Sequence, residues 1–249
     1  MKYDFDRVVD RRGTYSIKWE VEPGELPMWV ADMDFQTAPQ IMDAMRKRLE
    51  HGVYGYTDVP KEWNDAYINW WRDRHHIQIE NDWIMFCTGV IPAISSTVRK
   101  LTTPGENVLV MTPVYNTFYN SILNNGRNVL ECPLVYENHK YHIDYADLEK
   151  KLANPQTSLM ILCNPHNPVG RVWTREELER LGEICLKHGV FVVSDEIHAD
   201  FVFERKHTVF SEVKEAYRDI SMICTSPSKT FNIAGLQISN IFISNPEKA

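Results

Sequence analysis

"TREELERLGEICLKHGVFVVSDE", residues 174–196, carries two kinds of signal back to back. The first half reads as a helix with both ends specified. Thr174 and Glu177 stand three residues apart, the spacing of a reciprocal capping box in which two orphan amides are satisfied. Leu178, Leu181 and Cys185 then fall on one stripe, and Gly189 supplies the stop. The second half, "VFVVSDE" (190–196), is apolar without alternation. A strand of that composition is covered on both faces, as strands of a parallel sheet are. A helix feeding such a strand predicts an α/β fold.

The same grammar recurs along the chain. "NVLVMTP" (107–113), "SLMILCNP" (158–165) and "ISMICTS" (220–226) are further continuous apolar runs. "TAPQIMDAMRKRLEHG" (37–52) predicts a helix with Thr37 as cap, Ile41, Met45 and Leu49 on one face and Gly52 as stop. Alternating helices and strands imply a mostly parallel sheet in a three-layer α/β/α sandwich.

Composition excludes several classes of function. The chain has 249 residues, 43% hydrophobic and 24% charged, enough for a sizeable core. Its net charge of −7 argues against a nucleic-acid partner, because a phosphate backbone demands clustered Lys and Arg. The short basic runs "RRG" (11–13) and "RKR" (46–48) read as solvated. Cys87, Cys132, Cys163, Cys185 and Cys224 are scattered, odd in number and without a CxxC pair, which fits a reducing compartment better than a disulfide framework or a zinc site. The charged start "MKYDFDRVVDRRG" does not read as a signal peptide. No apolar run approaches the ~20 residues that span a bilayer. The expectation is a cytoplasmic protein with no membrane and no metal.

The residues just beyond each predicted strand point to chemistry. The runs lead into Tyr115, Asn167, Asp195 and Lys229. Open α/β sheets bind ligands at the carboxyl ends of their strands, so an aromatic ring, an amide, an acid and a lysine are expected at one crevice. Pyridoxal 5'-phosphate (PLP) uses such a set. It takes a lysine amine on its aldehyde, a carboxylate at its pyridine nitrogen, a donor at its phenolate oxygen, an aromatic ring against its face and backbone N–H groups on its phosphate. Lys229, Asp195, Asn167 and Tyr115 fit the first four roles. "TGVIPAISST" (88–97) offers Gly89 and the amides of Val90 and Ile91, with a helix expected to start near Pro92. Ser226 could add a hydroxyl. Taking Asp195, Glu196, His198 and Asp200 as a metal cluster is disfavoured, because alternate side chains of "DEIHAD" diverge.

"CNPHNPVGRVW" (163–173), "VVSDEIHADFVF" (192–203) and "SPSKTFNIAGLQ" (226–237) together resemble the fold-type I PLP enzymes of aminotransferase class I/II, and within them the MalY/PatB-type cystathionine β-lyase, or C–S lyase, subgroup. "LPMWVADMDF" (26–35), "YGYTD" (54–58) and "TPVYNTFYNSI" (112–122) extend the resemblance over essentially the whole chain. It implies that Lys229 is the PLP lysine and general base, Asp195 the pyridinium partner, Asn167 the phenolate ligand and Tyr115 the stacking ring, with Gly89, Val90, Ile91 and Ser226 at the phosphate. It further implies a homodimer in which Tyr56 reaches the neighbouring active site, and a substrate entrance lined by Trp29 and Val30. The implied reaction is β-elimination from cystathionine or a related S-substituted L-cysteine, giving thiol, pyruvate and ammonia. A transaminase, or a PLP-binding or regulatory protein without turnover, remains an alternative.

Two departures from the pattern matter. His198 stands where many class I/II aminotransferases carry a tyrosine that donates to the phenolate oxygen, as in the lyase subgroup. The chain also stops at "NPEKA", whereas members of the family continue through a small domain that supplies the arginine for the substrate's α-carboxylate. A fragment, a truncated product and an interrupted reading frame all fit. The expected organisation is therefore an N-terminal segment, 1–45, contributing to the small domain and dimer contacts, and a PLP-binding large domain, 46–249, with the rest of the small domain absent.

Overall fold

The structure, a computed structural model, describes residues 3–249. Its α-helices in chain order are α1 (Pro39–Glu50), α2 (Lys61–His75), α3 (Val90–Leu101), α4 (Thr117–Leu123), α5 (Tyr145–Leu152), α6 (Arg175–His188) and α7 (Pro227–Thr230). The strands are β1 (Ile84–Cys87), β2 (Asn107–Thr112), β3 (Asn128–Pro133), β4 (Val135–Glu137), β5 (Lys140–His142), β6 (Thr157–Cys163), β7 (Phe191–Asp195), β8 (Ser221–Thr225) and β9 (Ser239–Phe242). The four predicted runs are β2, β6, β7 and β8, each within two residues of the expected bounds.

The chain divides into two compact units. One comprises residues 1–58 and 227–237, the other residues 59–226 and 238–249. The boundary expected after residue 45 falls inside α1, an unbroken helix, and the division comes instead after Asp58. The segment bearing Lys229 falls in the first unit.

The larger unit is built on a seven-stranded sheet in the order β1-β9-β8-β7-β6-β2-β3. Neighbours from β8 to β3 are parallel, and β9 runs antiparallel to both β1 and β8. Alternate residues of each central strand enter opposite cores. Leu109, Met111, Met160, Leu162 and Val192 pack with Leu148 of α5 and Leu178 and Leu181 of α6. Val108, Val110, Leu159, Ile161 and Val193 pack with Ile94 and Val98 of α3 and Phe118 and Ile122 of α4. This two-sided burial explains why the strands read as continuous apolar runs.

α6 forms as its sequence predicts. The Thr174 hydroxyl accepts from the Glu177 amide, the Glu177 carboxylate accepts from the Thr174 amide, and Gly189 closes the helix at φ 66°. Gly182 lies against Tyr217: a Cβ there would come within 2.3 Å of the ring. That ring is fully buried, and its hydroxyl donates to the Glu179 carbonyl, so the helix is seated by a contact only glycine permits.

In the smaller unit, α1 departs from expectation in two ways. Its N-cap is Ala38 with no side-chain cap, and Pro39 opens the helix, whose missing N–H is an orphan there anyway. Thr37 instead donates its hydroxyl to the Phe231 carbonyl at 2.6 Å. None of Ile41, Met45 and Leu49 is buried.

Candidate functional site

The larger unit gathers five sequence-predicted positions at one edge of its sheet. β1, β2, β6, β7 and β8 all point the same way, and their carboxyl ends lead into Gly89, Tyr115, Asn167, Asp195 and Ser226 respectively. Register fixes the central ones. Asp195 pairs with Cys163 of β6 on one side and Cys224 of β8 on the other.

Asp195 is buried, at 5% exposure, and its Oδ1 accepts the Ile197 amide at 3.1 Å. Its carbonyl accepts the Asn164 amide at 2.9 Å, which holds the end of β6 beside it. Burial, reinforced by the Asp195 carboxylate, pushes the Cys163 and Cys224 thiols up, so both stay protonated beside it. Cys163 also shapes the next turn: its Sγ accepts the Asn167 amide at 3.3 Å and donates to the Pro165 carbonyl. Asn167 is half-buried.

The α3 amino terminus starts at Val90 rather than near Pro92, so the amides of Val90 and Ile91 are its first two. No side chain caps it, and the first amides of a helix have no intrahelical acceptor. Pro92 brings no amide of its own. A Cβ at Gly89 would meet the Pro92 Cδ at 3.2 Å, tight enough to favour glycine at the N-cap. These features fit a phosphate group. The Ser226 hydroxyl donates to the Ile238 carbonyl at 2.6 Å, so it must rotate before it can donate to an anion. Tyr115 is 40% exposed and edge-on to Phe118 at 5.9 Å, which leaves ring surface open. His198 is half-buried and meets Phe201 edge-on at 6.2 Å.

The remaining acids of "DEIHAD" are occupied elsewhere. Glu196 is fully buried and accepts from Ser194 at 2.8 Å, the Phe210 amide at 3.0 Å and His207 at 2.6 Å. Asp200 pairs with His75 at 2.9 Å. Among the described residues, no group of three or more His, Cys, Asp or Glu is arranged to hold a metal ion.

His166 adds a pH signature to this edge. Its Nε2–H donates to the Pro113 carbonyl at 2.9 Å, and burial holds the imidazole below its ordinary value, although hydrogen bonds to backbone carbonyls oppose the shift. In the unfolded chain it protonates near 6.5. Its stabilising contribution is therefore complete above that pH and is lost as the pH falls from there through the lower folded value. Denaturant midpoints are expected to decline from pH 7.5 to pH 5.5 in the parent, and less steeply in His166→Gln, which cannot titrate but keeps a donor. Equal slopes would remove His166 as the cause.

The smaller unit holds Lys229 in α7, half-buried. Lys229 and Val30 line one cavity of about 410 Å³, together with Arg11, Asp32, Met33 and Asn232. Val30, expected at a substrate entrance, lines the same cavity as the lysine. Trp29 is 66% exposed, and Tyr56 is fully exposed. Arg11, read from sequence as solvated, is instead paired with Asp32 at 2.5 Å and Asp34 at 3.2 Å. Burial pushes the Asp34 carboxyl up, but hydrogen bonds from Lys18, Trp19 and Arg11 outweigh it and hold the group below the usual range. Sequence reasoning missed Arg11, Asp32 and Asn232. Their partners are remote in sequence, so no local spacing announces them.

Comparison with known proteins places the chain in a family. The profile of the family described as "Aminotransferase class I and II" matches residues 27–247. Cystathionine beta-lyase PatB of Bacillus subtilis is 48% identical over 248 residues, covering 96% of this chain and 64% of that protein. Two solved structures superpose closely. Cystalysin from Treponema denticola, which contains a PLP cofactor, has a TM-score of 0.95 at 40% identity, over 100% of this chain and 65% of that one. The PLP-bound C-S lyase from Staphylococcus hominis has a TM-score of 0.93 at 36% identity, over 99% and 64%. The chain spans just under two thirds of the length of each.

Proposed function

The chain belongs to the aminotransferase class I and II family, and from that premise we propose that it carries the coenzyme site of a PLP-dependent carbon–sulfur β-lyase acting on cystathionine or a related S-substituted L-cysteine. The observation that carries the reading is the sheet edge that gathers buried Asp195, the Asn167 turn, the Tyr115 ring and the uncapped α3 amino terminus. PLP, when bound, supplies the electron sink for the pair left at the substrate's α-carbon.

The chain's own residues do the rest. Lys229 would hold the coenzyme through its amine, and that amine, when free, would serve as the base for the substrate's α-proton. Asp195 keeps a proton on the pyridine nitrogen. The Asn167 side-chain amide would donate to the phenolate oxygen, His198 would lie on the phenolate side, and the Tyr115 ring would cover the coenzyme face. The Val90 and Ile91 amides, with Gly89 allowing close approach and Ser226 adding its hydroxyl once rotated, would hold the phosphate. The Cβ–S bond then breaks with its pair going to sulfur, which leaves as thiolate, and the remaining carbon skeleton hydrolyses to pyruvate and ammonia.

The proposed working state is a homodimer in which Tyr56, fully exposed in this chain, reaches the phosphate site of a second copy. All five cysteines are free thiols, which supports a reducing, cytoplasmic setting. No helix is long and apolar enough to cross a membrane among the described residues.

A transaminase would use the same residues but needs a keto-acid acceptor. The test is to supply PLP and cystathionine without any keto acid and to assay thiol and pyruvate together. Stoichiometric thiol and pyruvate are expected. Turnover only when a keto acid is added assigns the transaminase, and PLP binding without either product assigns a non-catalytic protein.

A further inference from the structure

Asn232 follows Lys229 by three residues and sits at φ 55°, the left-handed region that asparagine tolerates better than most residues. Its side chain is committed to backbone 199 and 197 residues away. Oδ1 accepts the Met33 amide at 2.9 Å, and Nδ2 donates to the Met33 carbonyl at 3.1 Å and the Phe35 carbonyl at 2.9 Å. Acceptor and both donors of one amide are therefore used on a single short segment. The turn it closes is itself tied down: the Phe231 amide donates to the Pro227 carbonyl at 2.9 Å and the Ile233 amide to the Ser228 carbonyl at 2.9 Å. Lys229, Met33 and Asn232 line the same cavity as Val30.

We infer that Asn232 is a positioning residue that fixes the Lys229 turn against the 30–35 wall and so sets where the lysine amine stands when coenzyme and substrate arrive; the inference rests on Lys229 being the coenzyme-bearing lysine. A helical turn of four residues has little stiffness of its own. Without the clamp, Lys229 would share the mobility of a short connecting segment. Positioning errors of this kind are costly: a displacement of about 1 Å can lower a rate about 10²-fold.

Asn232→Gly removes the amide while keeping a residue at ease at positive φ, and Asn232→Ala adds backbone strain as a second variant. Asp144→Ala is the stability control, because it removes the α5 N-cap that accepts the Ala146 and Asp147 amides and touches nothing around Lys229. Two readouts are taken on the full chain. One is the acetylation rate of Lys229 relative to exposed Lys47, followed by mass spectrometry without coenzyme. The other is PLP affinity from the Lys229-dependent visible absorption, followed by kcat and KM.

Asn232→Gly is expected to raise the relative acetylation of Lys229 severalfold and to weaken PLP binding about tenfold, the worth of one or two hydrogen bonds. kcat is expected to fall more than KM rises, and Asp144→Ala to leave all of these at parental values. Overturning the clamp takes an Asn232→Gly protein whose Lys229 acetylation matches that of Asp144→Ala. A parent that binds no PLP while Asn232→Gly still changes Lys229 acetylation would sink the functional reading and leave the clamp standing.

Discussion

Lys229→Ala is expected to abolish the visible absorption that PLP gains on binding and to remove thiol and pyruvate release. The proposed function gives the lysine two roles, covalent capture of the coenzyme and removal of the α-proton. The second alone is worth roughly 10²–10⁴ in rate, as general-base catalysis usually is. Loss of both is expected to leave no turnover above the solution reaction of free PLP. The fold should tolerate the change. Lys229 is half-buried in a cavity wall, and the turn around it is held by backbone hydrogen bonds and by Asn232. Melting temperature and circular dichroism are therefore expected to match the parent. A Lys229→Ala protein that released pyruvate at the parental rate would remove the assignment altogether.

Asp195→Asn is expected to lower kcat by about 10²–10³, the usual loss when one preorganised electrostatic group is removed from a reacting centre. KM should move little, because in the proposed function the carboxylate acts on the coenzyme rather than on the substrate. Asparagine has nearly the same shape, and its Oδ1 can still accept the Ile197 amide that now bonds Asp195 at 3.1 Å. Removing the charge relieves part of the upward push on the Cys163 and Cys224 thiols, but burial is the larger cause in both. They stay protonated, and no new nucleophile appears beside the coenzyme. Steady-state kinetics with the PLP-saturated variant checks this. Unchanged kcat would mean that another group supports the pyridine nitrogen.

Most of the larger unit was legible because its signals are local. The capping box of α6 and the Gly189 stop lie within a single helix, and the structure reproduces both. The central strands declared themselves by composition, since burial on two faces leaves no polar alternation. β1 and β3 were not read: "IMFC" and "NVLECP" carry mixed burial, and one contains a glutamate and a proline. Errors came where a side chain's best partner was remote. Thr37 has the place of a helix cap, as hydroxyls before a helix usually do, yet its hydroxyl donates to the Phe231 carbonyl instead. Arg11 looked solvated because a short basic run usually is, yet Asp32 and Asp34 pair with it.

The sequence by itself determined the α/β class and the strand ends at which Tyr115, Asn167 and Asp195 stand. Each depends on spacing within about twenty residues, where helix and strand periodicities leave a direct imprint. Only the tertiary structure decided that Asp195 would lie between two protonated thiols, that the Ser226 hydroxyl would be turned toward Ile238, and that Asn232 would clamp the lysine's turn to Met33 and Phe35. Those facts are set by which backbone groups need a hydrogen-bond partner once the chain is packed. An unsatisfied buried donor or acceptor costs about 1–3 kcal/mol, so folding recruits whichever side chain can reach, however far away it lies in sequence.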